Sequence, residues 1–530
     1  MSTSAVPSST AYGRPPAPVV GIGVKVGIAL VVTLIVALMF STGSPLTASV
    51  PLIWLVLLYL IAALPLRWHL FALIFAGSVA DASSIELPSG GIWYPPLYGL
   101  RVLLFENLNK VVPIEALRFS FVDLFYVSLL LIAAIRAGMK IRVDTRHRQS
   151  STLALDALLV VSLLTVLALE VYGIGFRGGD FKQSLWQFRQ IIWLPIVIWL
   201  FSYAMRGARD FQTGINVMIV AACIKIVPAV KFFFGVARPL QFEPATLTSH
   251  YDSVLFVVAF MALVIRLLHN VNLKNWMMLL GVGGWIMLGI VLNNRRLAFV
   301  GLGVGLALAI IILRGPVKAS LKKFFIIASP LIFVYCTVGQ NKTQTIFKPA
   351  RQIMSVFKQD DRSSGTRDIE NFNLIWTLKP HKVLGAGWGH EYVELVRADD
   401  ISQHFAQYRF IAHNSILWLW TVGGLVGFTV IWMQIVIGIF FARRAYLFAR
   451  SSLERDTASM ALVMLAVYMM QAWGDMGVMG LNSTLTAGIA IAIAAKLAVT
   501  TGAFPARLPL LSIKHATPPV QTTVRWPVVS

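Results

Sequence analysis

Apolar residues in this chain come in long runs rather than in short alternations. A helix that crosses a membrane needs roughly 20 mostly apolar residues, and fourteen segments reach or approach that length. We therefore predict an all-α fold, a polytopic transmembrane helical bundle of about 14 helices. The predicted spans are 19–40, 48–66, 68–84, 119–138, 152–174, 190–206, 211–235, 251–268, 275–293, 297–313, 324–339, 415–441, 457–474 and 481–500.

The longest polar stretch between spans is residues 340–413, directly before the predicted helix 415–441. Its charge is nearly balanced, and the amphipathic sequence DIENFNLIWTL at 368–378 predicts a helix on its surface. We expect one large loop domain here. The first 18 residues and the tail from 501 to 530 are punctuated by proline, and we predict that both are disordered.

Composition and charge agree with a membrane protein. Hydrophobic residues make up 57% of the chain and charged residues 13%, which excludes an ordinary soluble domain. The formal net charge of +22 reflects basic loops at 136–148, 314–323 and 443–455. These loops share one side of the predicted bundle, which the positive-inside rule makes cytoplasmic together with both termini. Loop 340–413 then lies outside, and nucleic acid is not an expected partner because no basic stripe carries interleaved aromatics.

Arginines stand on the outer side, where the charge bias predicts few basic residues. Arg295 and Arg296 occupy a tight turn between two predicted spans, and Arg189 and Arg238 lie near the outer ends of others. Such arginines either extend toward headgroup phosphates or clamp a bound phosphate with paired hydrogen bonds. Together they suggest a cationic site for an anionic, lipid-linked ligand.

His413 ends the large loop at the point where the next span begins. Asn414 can cap that helix, and a neutral imidazole at headgroup depth can take a proton from a sugar hydroxyl. An interfacial histidine bonded to a carbonyl would occupy the same position. Four more histidines are predicted on this side, but no spacing fits a metal site, so we expect no metal and no cofactor. They are His250, His381, His390 and His404.

Two further features invite interpretation. Lys225 lies inside a predicted span, where a lysine is costly and usually has a partner or faces a cavity. The sequence GAGWG at 385–389 follows no strand of a βαβ unit, so we interpret it as a tight backbone turn rather than a dinucleotide-binding motif. The carboxylates considered as partners for Lys225 are Asp123, Asp156 and Glu170.

The spacing of His413-Asn414, nine residues, Gly424, two residues and Gly427 resembles the His-Asn/Ser-x9-Gly-x-x-Gly signature of the O-antigen ligase family. Other landmarks of that family have counterparts in the same order, between residues 237 and 440. They are ARPLQFEPA with Arg238, Asn294-Arg295-Arg296 in place of Ser-Arg-Gly, and Arg367, Trp376, Pro380 and Gly385-x-Gly387-x-Gly389 in the large loop. ARPLQFEPA has Pro-Ala where the family has Pro-Asn.

The resemblance implies a polytopic, inverting, metal-independent glycosyltransferase at the periplasmic face of a bacterial inner membrane. Its donor would be a glycan linked to undecaprenyl diphosphate or a similar polyprenyl diphosphate. Its acceptor would be lipid A-core or a growing polysaccharide. His413 would act as general base. Arg238, Arg295, Arg296 and Arg367 would bind the donor diphosphate, and Asn414, Gly424 and Gly427 would position the helix.

With the family in view, we predict N-terminal helices at 19–235 and a catalytic region at 236–442. C-terminal helices follow at 443–500. Ligation of O-antigen is the first hypothesis, and polymerisation of O-antigen or exopolysaccharide is the alternative. A transporter or flippase would show inverted repeats, and none is visible. A lipid-binding accessory protein would tolerate the loss of the arginines and of His413.

Overall fold

The computed structural model describes residues 63–80, 84–110, 119–138 and 152–506, together with residues 56 and 59. Short gaps interrupt the last range at 242–243, 245–246, 313–315, 343, 345–346, 356–361, 398–399, 401, 403–404 and 406. Several predictions lie outside the described residues. They are the 1–18 segment, the span at 19–40, most of the span at 48–66, basic-loop residues 139–148, His404 and tail residues 507–530.

The chain divides into two compact units. The first comprises residues 1–64 and 107–118 and is described only in short stretches, including a 3₁₀ turn at Leu108–Lys110. The second comprises residues 65–106 and 119–530. The helices, the hairpin and the candidate site described below belong to the second unit.

The second unit is built almost entirely from helices. Three of them contain or continue into π-helical turns, at Val171–Phe176, Phe233–Ala237 and Leu279–Gly283. The helices are α1 Leu66–Ala80, α2 Tyr98–Phe105, α3 Phe121–Gly138, α4 Leu153–Glu170, α5 Phe181–Ala204, α6 Ala208–Phe232, α7 Asp252–His269, α8 Leu273–Met278, α9 Gly284–Asn293, α10 Arg296–Ile312, α11 Pro316–Gly339, α12 Lys348–Ser355, α13 Arg362–Leu378, α14 Ser415–Phe448, α15 Ser452–Gly474 and α16 Leu481–Thr500.

Within the described residues, eight helical segments are long and apolar enough to cross a membrane. They are Leu153–Phe176, Phe181–Ala204, Ala208–Ala237, Asp252–His269, Leu273–Asn293, Ser415–Phe448, Ser452–Gly474 and Leu481–Thr500. Each predicted span from 68–84 onward overlaps a helix, although α1, α10 and the apolar part of α11 (Phe325–Gly339) are shorter than a full span. The all-α, polytopic prediction is confirmed. The total of fourteen spans stays a prediction because the first two lie largely outside the described residues.

Helix α16 lies in the middle of the bundle and packs against α5, α14 and α15. In its most apolar window 94% of the residues are buried. Its small residues allow this close approach. A Cβ at Gly488, for example, would lie 2.4 Å from a methyl carbon of Val197 on α5.

A short hairpin is the one β element among the described residues. Strands β1 (Ile85–Glu86) and β2 (Ile92–Trp93) pair antiparallel, with Ile85 opposite Trp93. The Trp93 ring lies 4.5 Å from that of Phe232 at the end of α6. The hairpin thus covers an apolar cluster at the ends of α6 and α9, beside the turn that contains Arg295.

The sequence left the partner of Lys225 open among three carboxylates, and the structure pairs it with a different one, Asp252. Lys225 is 3% exposed, and its Nζ lies 2.5 Å from Oδ1 of Asp252 and 2.9 Å from the carbonyl oxygen of Ser78. The reason is the packing of α6 against α7, which sets the last turns of α6 beside the first turn of α7. Lys225 is therefore the cation of a buried pair, as is usual for a lysine at membrane depth.

Helix α14 is interrupted at Gly424, whose φ of 59° and ψ of −168° are not helical. The segment before Trp388 lies against this break and replaces the missing helical hydrogen bonds. The substitute bonds run from Ala386 N to Thr421 O (2.9 Å), Gly387 N to Val422 O (2.9 Å), Leu425 N to Lys382 O (2.8 Å) and Val426 N to Val383 O (3.1 Å). The turn predicted at 385–389 is therefore the part of the loop that completes α14.

We expect Gly424→Ala to destabilise the fold by at least about 1–3 kcal/mol, because this backbone region is essentially restricted to glycine. A Cβ there would also lie 2.4 Å from the backbone of Gly385 and Val383. The matched control is Gly303→Ala on α10, where a Cβ meets nothing within 4 Å. Thermal unfolding in detergent measures both variants. Equal midpoints for the two would contradict the role of the break.

Candidate functional site

His413 is held by a carboxylate from the large loop. Its Nδ1 lies 3.1 Å from Oε2 of Glu370, and its backbone N–H donates to the same oxygen at 3.0 Å. The Glu370 side chain is 6% exposed, while that of His413 is 23% exposed. In the neutral imidazole, Nδ1–H donates to the carboxylate and Nε2 keeps its lone pair, and no described group is bonded to Nε2. This is the arrangement of a histidine oriented to accept a proton.

Two consecutive residues of α13 contact the two residues at the start of α14. Asn414 donates from its side chain to Oδ1 of Asn371 at 3.1 Å, one residue after Glu370. Asn414 also accepts from Leu417 N at 3.1 Å, so the predicted cap of α14 is confirmed. The position of His413 is thus set twice, by the start of α14 and by α13.

Glu370→Gln is expected to lower the turnover number by roughly 10²–10⁴-fold, as seen when the orienting carboxylate of a histidine base becomes an amide. The amide NH₂ would donate to Nδ1 and shift the proton to Nε2. The KM values and the unfolding temperature should stay close to wild type. Glu391→Gln, which removes only an exposed charge 3.7 Å from Arg409, is the control. A parallel loss of stability and activity would instead indicate a purely structural role.

Arg295 belongs to a second cluster on this face of the bundle. Its Nη2 donates to Nε2 of His250, whose Nδ1 lies 3.4 Å from Oδ2 of Asp475. The chain of contacts fixes the histidine tautomer, since Nε2 must accept and Nδ1–H must donate. The Nε of Arg295 is buried and has no hydrogen-bond partner among the described residues. The guanidinium therefore keeps an unused donor.

Charge in this cluster is predominantly positive. Burial alone would raise the pKa of Asp475, but the hydrogen bond from His250 and the charges of His250, Arg295 and Arg367 lower it to about 2. Burial lowers the pKa of Arg295, and Asp475 opposes that effect while Arg367 and Arg296 add to it. One carboxylate faces three arginines, so the cluster can attract a further anion.

The four predicted phosphate-binding arginines differ in their described contacts. Arg295, Arg296 and Arg367 interact electrostatically. Arg296 also extends its Nη1 to within 3.5 Å of the Ser355 carbonyl, at the end of α12. Arg238 is exposed at the end of α6, and no described group forms an ion pair or side-chain hydrogen bond with it. Its assignment to the diphosphate stays a prediction.

The turn between α15 and α16 joins the two clusters. Asp475 contacts His250, and the next residue, Met476, donates its N–H to the carbonyl oxygen of His413 at 2.7 Å. Met476 has a φ of 47°, which few non-glycine residues adopt. The histidine and the arginine cluster are thus fixed to the same short turn.

Buried contacts anchor the loop that precedes His413. Gln187 on α5 accepts from Gly389 N at 2.5 Å and donates to the Phe410 carbonyl at 2.7 Å. Trp388 is fully buried and donates to the Val166 carbonyl at 3.0 Å. Gly427 faces Leu169, where a Cβ would lie 2.8 Å from a methyl carbon. Gly427 is therefore a close-packing position, whereas Gly424 is required by backbone conformation.

Arg189 does not contribute a free charge to the arginine cluster. It forms an ion pair with Asp123, and its Nη2 lies 2.6 Å from the Ser120 hydroxyl. The sequence suggested a shared cationic site because Arg189 lies toward the same face. The packing of α3 against α5 supplies a carboxylate that the linear sequence does not reveal.

No group of histidine, cysteine, aspartate or glutamate within the described ranges could hold a metal ion. His381 contacts Arg177 at 2.8 Å, and His390 lies 3.2 Å from the Gly173 carbonyl. Trp376, near the end of α13, contacts Lys379, and Pro380 lies in the 3₁₀ turn Lys379–His381 that follows. Of the predicted outer histidines that the structure describes, His413 belongs to the cluster with Glu370 and His250 to the cluster with Arg295.

Comparison with known families gives a match that covers His413, Glu370 and the arginines at 295, 296 and 367, but not His250 or Asp475. Residues 276–432 match the family described as O-antigen ligase. This part of the chain is similar to an O-antigen ligase domain. None of the curated proteins matches the chain.

The matched domain includes the Arg295 turn, the large loop and the break in α14. It confirms the resemblance inferred from the His413 signature. With the apolar helices around it, the domain indicates a multi-pass membrane enzyme of the glycosyltransferase kind, acting generally on lipid-linked sugars and polysaccharides. Residues 236–275 and 433–442 of the predicted catalytic region lie outside the match, so those boundaries stay predictions.

Three residues of the clusters were not predicted as site residues: His250, Glu370 and Asp475. Glu370 follows Arg367 by three positions, and this spacing places both on one face of a helix. Asp475 is a lone carboxylate in a short turn between two apolar helices. Both signals are present in the sequence, but neither shows which residue Glu370 or Asp475 contacts.

Proposed function

We propose that this protein transfers a glycan from a polyprenyl diphosphate carrier to a sugar hydroxyl at the periplasmic face of a bacterial inner membrane. The observation that supports it most is the oriented His413–Glu370 pair, which is hydrogen-bonded to the same turn as the Arg295 cluster. One group can accept a proton, and the other can hold the charge of a leaving diphosphate.

The chemistry assigns a step to each cluster. Nε2 of His413 takes the proton of the acceptor hydroxyl as its oxygen attacks the anomeric carbon from the face opposite the diphosphate. The new carbon–oxygen bond forms while the bond from that carbon to the diphosphate oxygen breaks. The diphosphate leaves with the electron pair, and the configuration of the anomeric carbon inverts.

Arg295 and Arg367 would stabilise the charge that builds on the leaving group. Fixed cations of this kind are usually the largest catalytic contribution, because they need no reorganisation during the reaction. Arg296 supports the turn from behind through its contact with α12. The donor already has an activated anomeric carbon, so the proposed step uses the protein's own side chains and no metal.

Ligation of a finished polymer onto lipid A-core is the function we propose first. The test is the glycan profile of a strain in which the gene is deleted and then complemented with wild type or His413→Ala. Long polymer stranded on the carrier supports ligation. Accumulation of single repeat units indicates a polymerase instead. An unchanged profile of both pools would contradict glycan transfer altogether.

A further inference from the structure

A cavity of about 350 Å³ lies beside the proposed site and has no part in the mechanism above. Its walls come from α2, α3, α5, the turn before α16 and three residues of the large loop, Phe405, Gln407 and Ile411. It meets the site directly. Ile411 and Met476 line it, and Met476 is bonded to the carbonyl oxygen of His413. Tyr251, which also lines it, follows His250.

One side of this cavity is a rigid polar network. Asp123 accepts from Arg189 Nε at 3.1 Å and from Trp193 Nε1 at 3.0 Å. Ser120 is bonded to both members of the Arg189–Asp123 pair. The two charged side chains are only 20% and 14% exposed, so they are held in place but still reach the cavity. Polar groups fixed in this way suit a neutral ligand with many hydroxyl groups.

Aromatic rings supply the rest of the lining. Trp186 is 40% exposed, and the Arg189 guanidinium lies 5.9 Å from its ring centre. Phe405 and Tyr251 approach from the loop and from the start of α7. A pyranose ring has an apolar C–H face that packs on an aromatic ring and a rim of hydroxyls that bonds to carboxylate, guanidinium and amide groups. An isoprenoid tail would leave the charged pair without a matching surface.

We propose that this cavity is a saccharide subsite, in which a sugar ring adjacent to the reacting one packs against Trp186 and bonds to the Asp123–Arg189 pair and Gln407. The proposal rests on the proposed function, because it assigns the cavity to the glycan of that reaction. The ring belongs to the donor glycan or to the acceptor glycan. The KM for the donor and the KM for the acceptor distinguish these two sources.

The kinetic test uses Trp186→Ala in the full-length protein in lipid nanodiscs. We expect Trp186→Ala to raise one KM about tenfold, which corresponds to about 1.4 kcal/mol, with a turnover number near wild type. Varying carrier-linked glycan at fixed acceptor assigns the ring to the donor if its KM rises. Varying the acceptor at fixed donor assigns it to the acceptor. Trp276→Ala, at a similarly exposed tryptophan on α8, is the control and should change neither KM.

A binding measurement keeps the proposal testable without turnover. The probes are oligosaccharides released by mild acid from the carrier-linked pool and from the lipopolysaccharide of the same cells, with binding measured by equilibrium dialysis. Weaker binding by Trp186→Ala than by Trp276→Ala supports the subsite. Wild-type transfer with equal KM and equal binding in both variants overturns the subsite and leaves the proposed function standing. Absent wild-type transfer with retained, Trp186-dependent binding overturns the proposed function instead.

Discussion

Replacing His413 by alanine is expected to lower the turnover number of glycan transfer by roughly 10²–10⁴-fold, the usual contribution of a general base. Glu370 orients the ring through Nδ1 and leaves Nε2 of His413 without a hydrogen-bond partner among the described residues. The cap from Asn414 to Leu417 N remains in the variant, and the start of α14 should be unaffected. The measurement is transfer from carrier-linked glycan in membranes at matched expression.

His381→Ala is the matched control for His413. This histidine lies in the same loop but contacts Arg177 rather than Glu370. Full transfer should persist in that variant. If His413→Ala also kept full transfer, the assignment of the base would be wrong.

Arg295→Ala is expected to reduce turnover by about 10²–10³-fold, the cost of losing one preorganised donor to a developing negative charge. It should also weaken the binding of undecaprenyl diphosphate that bears no glycan. Arg295→Lys should recover only part of the loss, because an ammonium group cannot form paired bonds to phosphate. Both quantities can be measured on purified protein in nanodiscs.

Loss of Arg295 also leaves Asp475 with one cation fewer, and an unbalanced buried charge is strongly destabilising. The double variant Arg295→Ala/Asp475→Ala removes that imbalance and separates folding from function. We expect it to be better folded than Arg295→Ala and still inactive. Arg177→Ala, which breaks only the contact with His381, serves as the control. Recovery of transfer in the double variant would show that Arg295 is structural.

Much of the fold can be predicted from local sequence features. Each membrane helix is a long apolar run, and length alone separates it from a soluble element. The cap at Asn414 depends on neighbours three positions apart. The O-antigen ligase resemblance also rests on spacing within one segment, from His413 to Gly427. Such features are readable because the interactions behind them span a few residues.

The site needed contacts between residues far apart in the chain. His413 and Glu370 are separated by 43 positions, and His250 and Asp475 by 225. A membrane sequence does not reveal these partners, because helices of nearly uniform apolar character can pack in many ways. The same reason explains why the sequence grouped Arg189 with the cationic cluster and left the partner of Lys225 open.

The sequence by itself determined that this chain is a polytopic helical protein with a histidine at the start of a late helix and arginines in the turn before α10. Only the tertiary structure decided which charges are free to meet a ligand. It paired Arg189 with Asp123 and Lys225 with Asp252, and left Arg295 with an unpartnered Nε. It also divided the glycines, since Gly427 packs against Leu169 while Gly424 breaks α14. Composition supplies the groups, but the desolvation and pairing that set their chemistry exist only once the helices are packed.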